Sequence, residues 1–150
     1  MNRDELSSGS TAGILAAAST GGALIALGKR TGTAVRPFNI IASHLLGAPA
    51  GDAFGFVPRI TLTGVALHVV FTTLLGVLIL EIVKRRLAPA WLAGAGVSLF
   101  CCLVSIGLAR RGDPSLAQLF SLGDLTVYFL VLAVSLVVGM RFARPSPRID

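Results

Sequence analysis

The chain has 150 residues, of which 54% are apolar and 13% charged, and its mean hydropathy is +0.82. This balance lies outside the range of soluble globular domains and predicts a membrane protein. The formal charge of +6 comes from 13 basic against 7 acidic residues, and because most of the bases flank apolar segments, they indicate contacts with lipid headgroups and exclude nucleic acid as the expected partner.

The chain begins with a polar tail over residues 1–10, which precedes an apolar stretch over residues 11–27. This stretch is rich in alanine and glycine, with small residues four positions apart, as in membrane helices that other helices surround. Its length also fits a secretory signal peptide, but the acidic start and the lack of a small-residue cleavage motif favour a retained helix. Residues 11–27 are therefore predicted to form the first membrane span.

The connection that follows contains a short helix, predicted over residues 37–46. Pro37 stands at its first position, Gly47 follows its last, and Pro49 comes two residues later, which is the usual order of helix boundary signals. At 1.5 Å per residue this helix is roughly 15 Å long, too short to cross a bilayer. Its apolar residues share one face: Phe38, Ile41, Ala42 and Leu45. We expect it to lie in the membrane interface.

Residues 62–83 predict the second membrane span, since a helix of that length covers roughly the 30 Å of a bilayer's hydrocarbon core. Small and polar residues recur on one of its faces at four-residue spacing: Gly64, His68, Thr72 and Gly76. Such a face suits packing on other helices. Near the end of the span, Glu81 precedes Lys84 by three positions and Arg85 by four, which predicts an interfacial ion pair.

The third span is predicted over residues 90–109, with Trp91 at its interfacial end. A second face of small residues runs along it: Gly94, Ser98, Cys101, Cys102 and Ser105. We expect this face to pack against the small-residue face of the second span. Adjacent side chains on a helix diverge by about 100°, so the two cysteines cannot pair with each other, and no histidine stands at ligand spacing from them to complete a metal site.

The fourth span is predicted over residues 122–142, where Ser121 and Asp124 form a capping box at its start. Residues 143–150 follow as a polar tail. The sequence thus predicts an all-α polytopic membrane protein: a single domain over residues 11–142, with four transmembrane helices and a short interfacial helix in the first loop.

The basic residues set the orientation by a narrow margin. Seven of them stand on the side of the two termini: Arg3, Lys84, Arg85, Arg86, Arg141, Arg144 and Arg148. Six stand on the other side: Lys29, Arg30, Arg36, Arg59, Arg110 and Arg111. The tight turn that holds Lys84, Arg85 and Arg86 favours cytoplasmic termini. Abundant arginine, alanine and glycine are typical of a GC-rich genome, which favours a bacterial inner-membrane protein.

Four polar residues near the start of the second span are candidates for a ligand or proton site: His44, Asp52, Arg59 and His68. Two histidines from separate elements could hold haem b between them, or serve a quinone-associated membrane anchor. Alternatively, His68 hydrogen-bonds a neighbouring serine or threonine and His44 faces water. No paired carboxylates, serine–histidine–aspartate set or metal-ligand spacing occurs, so we expect neither an enzyme nor a metal site.

Three classes of function remain after these exclusions. The preferred one is a structural, assembly or accessory subunit that binds a second copy or another membrane protein through small-residue faces. The second is a transporter or channel for ions or small solutes that acts as an oligomer, although the first span lacks the acidic residue of a proton-coupled exchanger. The third is the haem or quinone anchor.

A short pattern before and within the second span resembles a known kind of protein. It consists of Pro37, Asn39, Ser43 and His44, followed by Thr63, Gly64 and His68. This pattern resembles uncharacterised small four-helix bacterial membrane proteins, with one extra residue before the serine and a single histidine in the helix. The resemblance implies a bacterial membrane protein without an assigned activity.

Overall fold

The computed structural model describes residues 3–112 and 116–142, which form seven α-helices and contain no strand. The helices are α1 (Arg3–Thr31), α2 (Arg36–Leu46), α3 (Ala48–Gly51), α4 (Pro58–Lys84), α5 (Ala90–Arg110), α6 (Leu116–Leu119) and α7 (Leu122–Phe142). Four of them, α1, α4, α5 and α7, are long and apolar enough to cross a membrane. The prediction of an all-α chain with four such helices is confirmed for these residues.

Two of the long helices begin earlier than the sequence predicts. Helix α1 begins at Arg3, so most of the predicted polar tail continues the helix. Packing explains this extension, because Gly9 lies directly against Val77 of α4, where a Cβ on the glycine would come within 2.9 Å of the valine Cα. Helix α4 begins at Pro58, whose fixed φ suits a first helical position. The predicted C-terminal tail, residues 143–150, lies outside the described residues.

Helix α1 is the centre of the bundle. It packs along α4 on one side and α7 on another, while α5 packs mainly on α7 and less on α4. The core between these helices is apolar, and its most buried members are Ala12, Ala16, Leu24, Ile79, Leu132 and Leu136. The outer faces of α4 and α5 expose large apolar side chains, among them Val70, Leu74, Leu99 and Leu103. Exposed apolar faces of this kind suit contact with lipid.

Glycines let the helices approach until their backbones touch. A Cβ at Gly76 of α4 would overlap the Gly9 carbonyl of α1 and lie 2.6 Å from the Gly13 nitrogen. A Cβ at Gly139 of α7 would lie 2.9 Å from the Cα of Ala12. Both contacts join a neighbouring helix to α1, so close backbone packing fixes its central position.

The turn between α4 and α5 has the hydrogen bonds of a Schellman motif. The Leu87 amide donates to the Ile82 carbonyl at 3.1 Å, and the Arg86 amide donates to the Val83 carbonyl at 3.0 Å. Arg86 takes the left-handed position, with φ 56°, which glycine usually fills. The turn therefore carries positive charge at the cost of some backbone strain.

A capping box begins α7 and also ties this helix to α1. The Asp124 amide donates to Ser121 Oγ at 3.2 Å, and the Ser121 amide donates to Asp124 Oδ2 at 3.2 Å. The other carboxylate oxygen of Asp124 lies 2.9 Å from Arg30 Nη1 at the end of α1. The pair is largely solvent-exposed on its arginine side, so its contribution to stability is small beside that of the cap.

Candidate functional site

The inner face of α4 carries two buried polar centres. The first is formed by His68, whose side chain is only 4% exposed. Its Nε2 lies 3.1 Å from Thr20 Oγ1 and 3.3 Å from the Ala17 carbonyl, both on α1. The edge of the ring meets Phe38 of α2, with the ring centroids 6.0 Å apart. His68 therefore connects α4 to two neighbouring helices.

The hydrogen bonds around His68 determine which ring nitrogen carries the proton. Thr20 donates its only hydroxyl proton to the Ala16 carbonyl at 2.6 Å, so towards His68 it acts as an acceptor. The Ala17 carbonyl can only accept. Nε2 must then carry the proton that it shares between these two oxygens, and Nδ1 of the neutral ring is a hydrogen-bond acceptor.

The second polar centre joins α2, α4 and the loop before α4. Thr61 Oγ1 donates to Asn39 Oδ1 at 2.8 Å. The Asn39 amide nitrogen donates to the carbonyls of Ala53 at 2.7 Å and Gly55 at 3.0 Å. These bonds use both N–H donors of the Asn39 side chain and one of the two acceptor positions of its oxygen. Asn39 is fully buried and holds the loop against the short helix.

The hydrogen bonds of Asn39 decide which face of α2 packs against the protein. Phe38, Asn39, Ala42 and Ser43 are buried, whereas Leu45 of the predicted apolar face is 66% exposed. Because a buried asparagine needs hydrogen-bond partners, the contacts of Asn39 fix an orientation of α2 in which Leu45 faces outward.

A cleft of about 430 Å³ opens between α2, α4, α5 and α7. Apolar and aromatic side chains form most of its wall, namely Ile41, Leu67, Phe71, Phe100, Val104, Leu108, Phe129 and Leu132. Its polar or polarisable lining residues are His44, His68, Cys101, Ser105 and Tyr128. The volume falls in the range of small-molecule sites, roughly 300–1,000 Å³.

The structure brings together two of the four residues predicted as a ligand or proton site. His44 and His68 line the same cleft, with His44 exposed and His68 buried. Asp52 lines a different and smaller cavity of about 210 Å³, together with Arg36. Arg59 is exposed at the start of α4 and lines neither cavity. The four residues therefore do not form one site.

The hydrogen bonds of His68 disfavour haem b held by two histidines in this cleft. An axial histidine needs an unprotonated ring nitrogen directed at the iron. Nε2 of His68, the nitrogen farther from the backbone, carries a proton and points at Thr20 and Ala17 of α1. Only Nδ1, beside the histidine's own backbone, remains as a ligand atom. Among the described residues, no group of three or more histidine, cysteine or acidic side chains could hold a metal ion.

The predicted packing residues lie at contacts with several different helices. Gly64 touches the backbone of Phe38 in α2, and Gly76 touches α1. Gly94 touches Val137 of α7, where a Cβ on the glycine would come within 2.7 Å of the valine side chain. The expected pairing of the α4 and α5 small-residue faces is therefore wrong, because α4 turns its face to α1 and α2, while α5 turns its face to α7.

The polar members of the predicted packing set have different surroundings. Thr72 is buried and its hydroxyl donates to the His68 carbonyl at 2.8 Å, within its own helix. Ser98 is buried with an Oγ that has no hydrogen-bond partner among the described residues. Ser105 lines the cleft. Glu81 forms its ion pair with Arg85, with Oε1 and Nε 2.7 Å apart.

Three residues that the sequence analysis did not assign to a site hold it together. Thr20 bonds His68, Tyr128 is buried and lines the cleft, and Asn39 anchors the loop. The signal for Thr20 and Asn39 was their polarity within apolar segments, since a buried polar side chain needs a partner.

Comparison with models of protein families, with curated proteins and with solved structures finds no match for this chain.

Proposed function

We propose that the chain is an integral membrane protein of the bacterial inner membrane, with both termini in the cytoplasm, and that it serves as an accessory subunit. In this role α1 contacts a helix of a second copy or of another membrane protein. The supporting observation is the outward face of α1. This face presents small residues every four positions to the surroundings: Ala18, Gly22 and Ala26.

The geometry at Gly22 suits a partner helix. A Cβ there would meet nothing within 4 Å, so neither α4 nor α7 requires a glycine at this position. Glycine in a helix interior is less favourable than alanine by roughly 1 kcal/mol. Lipid does not need small residues, whereas a second helix gains van der Waals contact from them. The outward glycine is best explained by close approach of a helix from outside this chain.

A groove beside this row extends the same surface. It measures about 480 Å³ and lies between α1 and α7, with Leu15 and Ser19 on one wall and Val134 and Ser135 on the other. A groove next to a row of small residues allows the side chains of an incoming helix to interlock with both helices. The two features together form the outer α1 surface, which we propose as the contact.

The test compares two glycine substitutions that differ only in location. Gly22→Leu places a bulky side chain on the outer α1 surface, and Gly96→Leu does the same on α5, where a Cβ also meets nothing within 4 Å. Energy transfer between two labelled populations in liposomes measures self-association at a fixed ratio of protein to lipid. Purification in mild detergent, followed by mass spectrometry, detects a stoichiometric partner.

We expect Gly22→Leu to abolish association and Gly96→Leu to leave it unchanged. Energy transfer in the parent protein identifies a second copy as the partner. A stoichiometric companion lost only from Gly22→Leu identifies another membrane protein. A strictly monomeric parent with no companion, or equal effects of both substitutions, contradicts the proposal.

A further inference from the structure

The cleft between α2, α4, α5 and α7 is accessible from the side of the bundle. Three of its lining residues are also among the exposed apolar side chains: Phe71 is 51%, Phe100 is 68% and Val104 is 43% exposed. In a bilayer these residues would face lipid, so the entrance would lie at membrane depth. A molecule that reaches the cleft by this route must be lipid-soluble.

The deep wall of the cleft offers a hydrogen-bond acceptor. His68 lines it, and because Nε2 is bonded to α1, the polar atom left to the ring is the unprotonated Nδ1. No hydrogen bond to Nδ1 occurs among the described residues, although the side chain is almost completely buried. An unmet acceptor in an apolar cavity favours a ligand that donates.

The other polar groups of the wall do not select for a ligand that donates a hydrogen bond. The Tyr128 and Ser105 hydroxyls and the exposed His44 ring can each either donate or accept. The apolar part of the wall includes three phenylalanine rings, at positions 71, 100 and 129. Aromatic side chains pack well on a flat ring in edge-to-face or offset arrangements. The wall therefore combines surfaces for a flat ring with one group, His68 Nδ1, that can only accept.

From this combination we propose that the cleft binds a lipid-soluble phenol or hydroquinone, whose ring packs among the phenylalanines and whose hydroxyl donates to His68 Nδ1. This site is separate from the outer α1 surface and goes beyond the accessory role. It predicts a preference for the hydroxyl form, because a quinone carbonyl or an ether oxygen brings a second acceptor to Nδ1 and leaves both lone pairs unmet.

The test uses three ligands of nearly equal shape: a decyl-substituted benzohydroquinone, its quinone and its dimethyl ether. The protein is held in lipid nanodiscs, the amount bound is measured by equilibrium dialysis, and the signal of empty nanodiscs is subtracted. Affinity is expressed as the mole fraction of ligand in lipid at half-saturation, which removes differences in partitioning. Decanol serves as an aliphatic hydroxyl donor, and dithionite keeps the hydroquinone reduced.

Three variants connect binding to the cleft and to the acceptor. His68→Gln removes Nδ1 but keeps an amide N–H near the Nε2 position, where it can donate to Thr20. The unfolding midpoint of this variant reports whether the bundle is intact. Val104→Trp fills the cleft, whereas Leu103→Trp adds the same group to an exposed neighbour that does not line it. The two tryptophan variants differ only in the side of α5 on which the ring lies.

We expect the hydroquinone to bind about fivefold or more tightly than the dimethyl ether, as one neutral hydrogen bond predicts. His68→Gln should remove this preference, Val104→Trp should remove binding of all ligands, and Leu103→Trp should change neither. Equal binding of the three ring compounds, or none, overturns the proposal, as does a preference that persists in His68→Gln. Decanol binding as tightly as the hydroquinone overturns the aromatic assignment.

Discussion

Substitution of Gly64 by alanine gives the sharpest test of how α2 is held on α4. Gly64 lies against the backbone of Phe38, where an added Cβ would overlap the carbonyl oxygen and lie 2.6 Å from the carbonyl carbon and 3.1 Å from the Cα. Carbon atoms pack at about 3.5–4.0 Å. The two helices would have to separate by about 1 Å to admit one methyl group.

The cost of that separation follows from what the contact supports. Overpacking of a close contact costs about 1–3 kcal/mol. The same movement stretches the 2.8 Å bond between Thr61 and Asn39, one turn from the glycine, and an unmet buried pair adds about 1–3 kcal/mol. Alanine recovers up to about 1 kcal/mol of helix propensity. We expect Gly64→Ala to lower the free energy of unfolding by about 2–4 kcal/mol.

Equilibrium unfolding in mixed micelles of increasing SDS content, followed by far-ultraviolet circular dichroism, measures this difference. Gly96→Ala is the matched control, because a Cβ at Gly96 meets nothing within 4 Å and should be neutral or stabilise by up to about 1 kcal/mol. If the two variants unfold within about 0.5 kcal/mol of each other, the direct contact between α2 and α4 does not exist as described.

Four further outcomes follow from the buried polar centres, the turn and the cleft. Asn39→Ala should cost about 1–3 kcal/mol in SDS unfolding and speed proteolysis of the following loop, since its two carbonyl partners lose their donor. Thr20→Val should cost about 1–2 kcal/mol by removing an acceptor from His68, and Thr20→Ser should restore most of it. Arg86→Gly should stabilise by about 1 kcal/mol in thermal unfolding, because glycine relieves the left-handed conformation. The absorption spectrum of protein purified from haem-replete cells should lack a Soret band, and a reproducible band would contradict the bonding of His68.

The long helices could be predicted from sequence because their signal is local. A run of apolar residues closed by basic ones is enough to indicate a span, and the four apolar helices fall where such runs occur. The spacing of small residues likewise selects the side of α4 that is buried: Gly64, His68, Thr72 and Gly76. The exact first residues of the helices were not predictable. Helix α1 begins before its apolar run because its first turns pack against α4, and hydropathy does not report this contact.

The choice of neighbour could not be predicted in this way. Spacing gives the direction of a face but not the helix that meets it, and α1, α5 and α7 all carry small residues that fit the same contact. Only the three-dimensional structure therefore shows which helices Gly76 and Gly94 contact. The same holds for the polar centres, where His68 could bond any nearby hydroxyl, and only the helix arrangement selects Thr20.

The arrangement of α1 separates the two surfaces for which a role is proposed. None of the described residues that line the cleft belongs to α1, and the outer α1 surface lies on the opposite side of that helix from its contact with α4. Effects of distant, independent sites add. Gly22→Leu should therefore leave hydroquinone binding unchanged, and Val104→Trp should leave association unchanged. Loss of both properties in either variant would mean that the two surfaces are coupled, either through the bonds of His68 to α1 or because the partner helix itself forms part of the cleft.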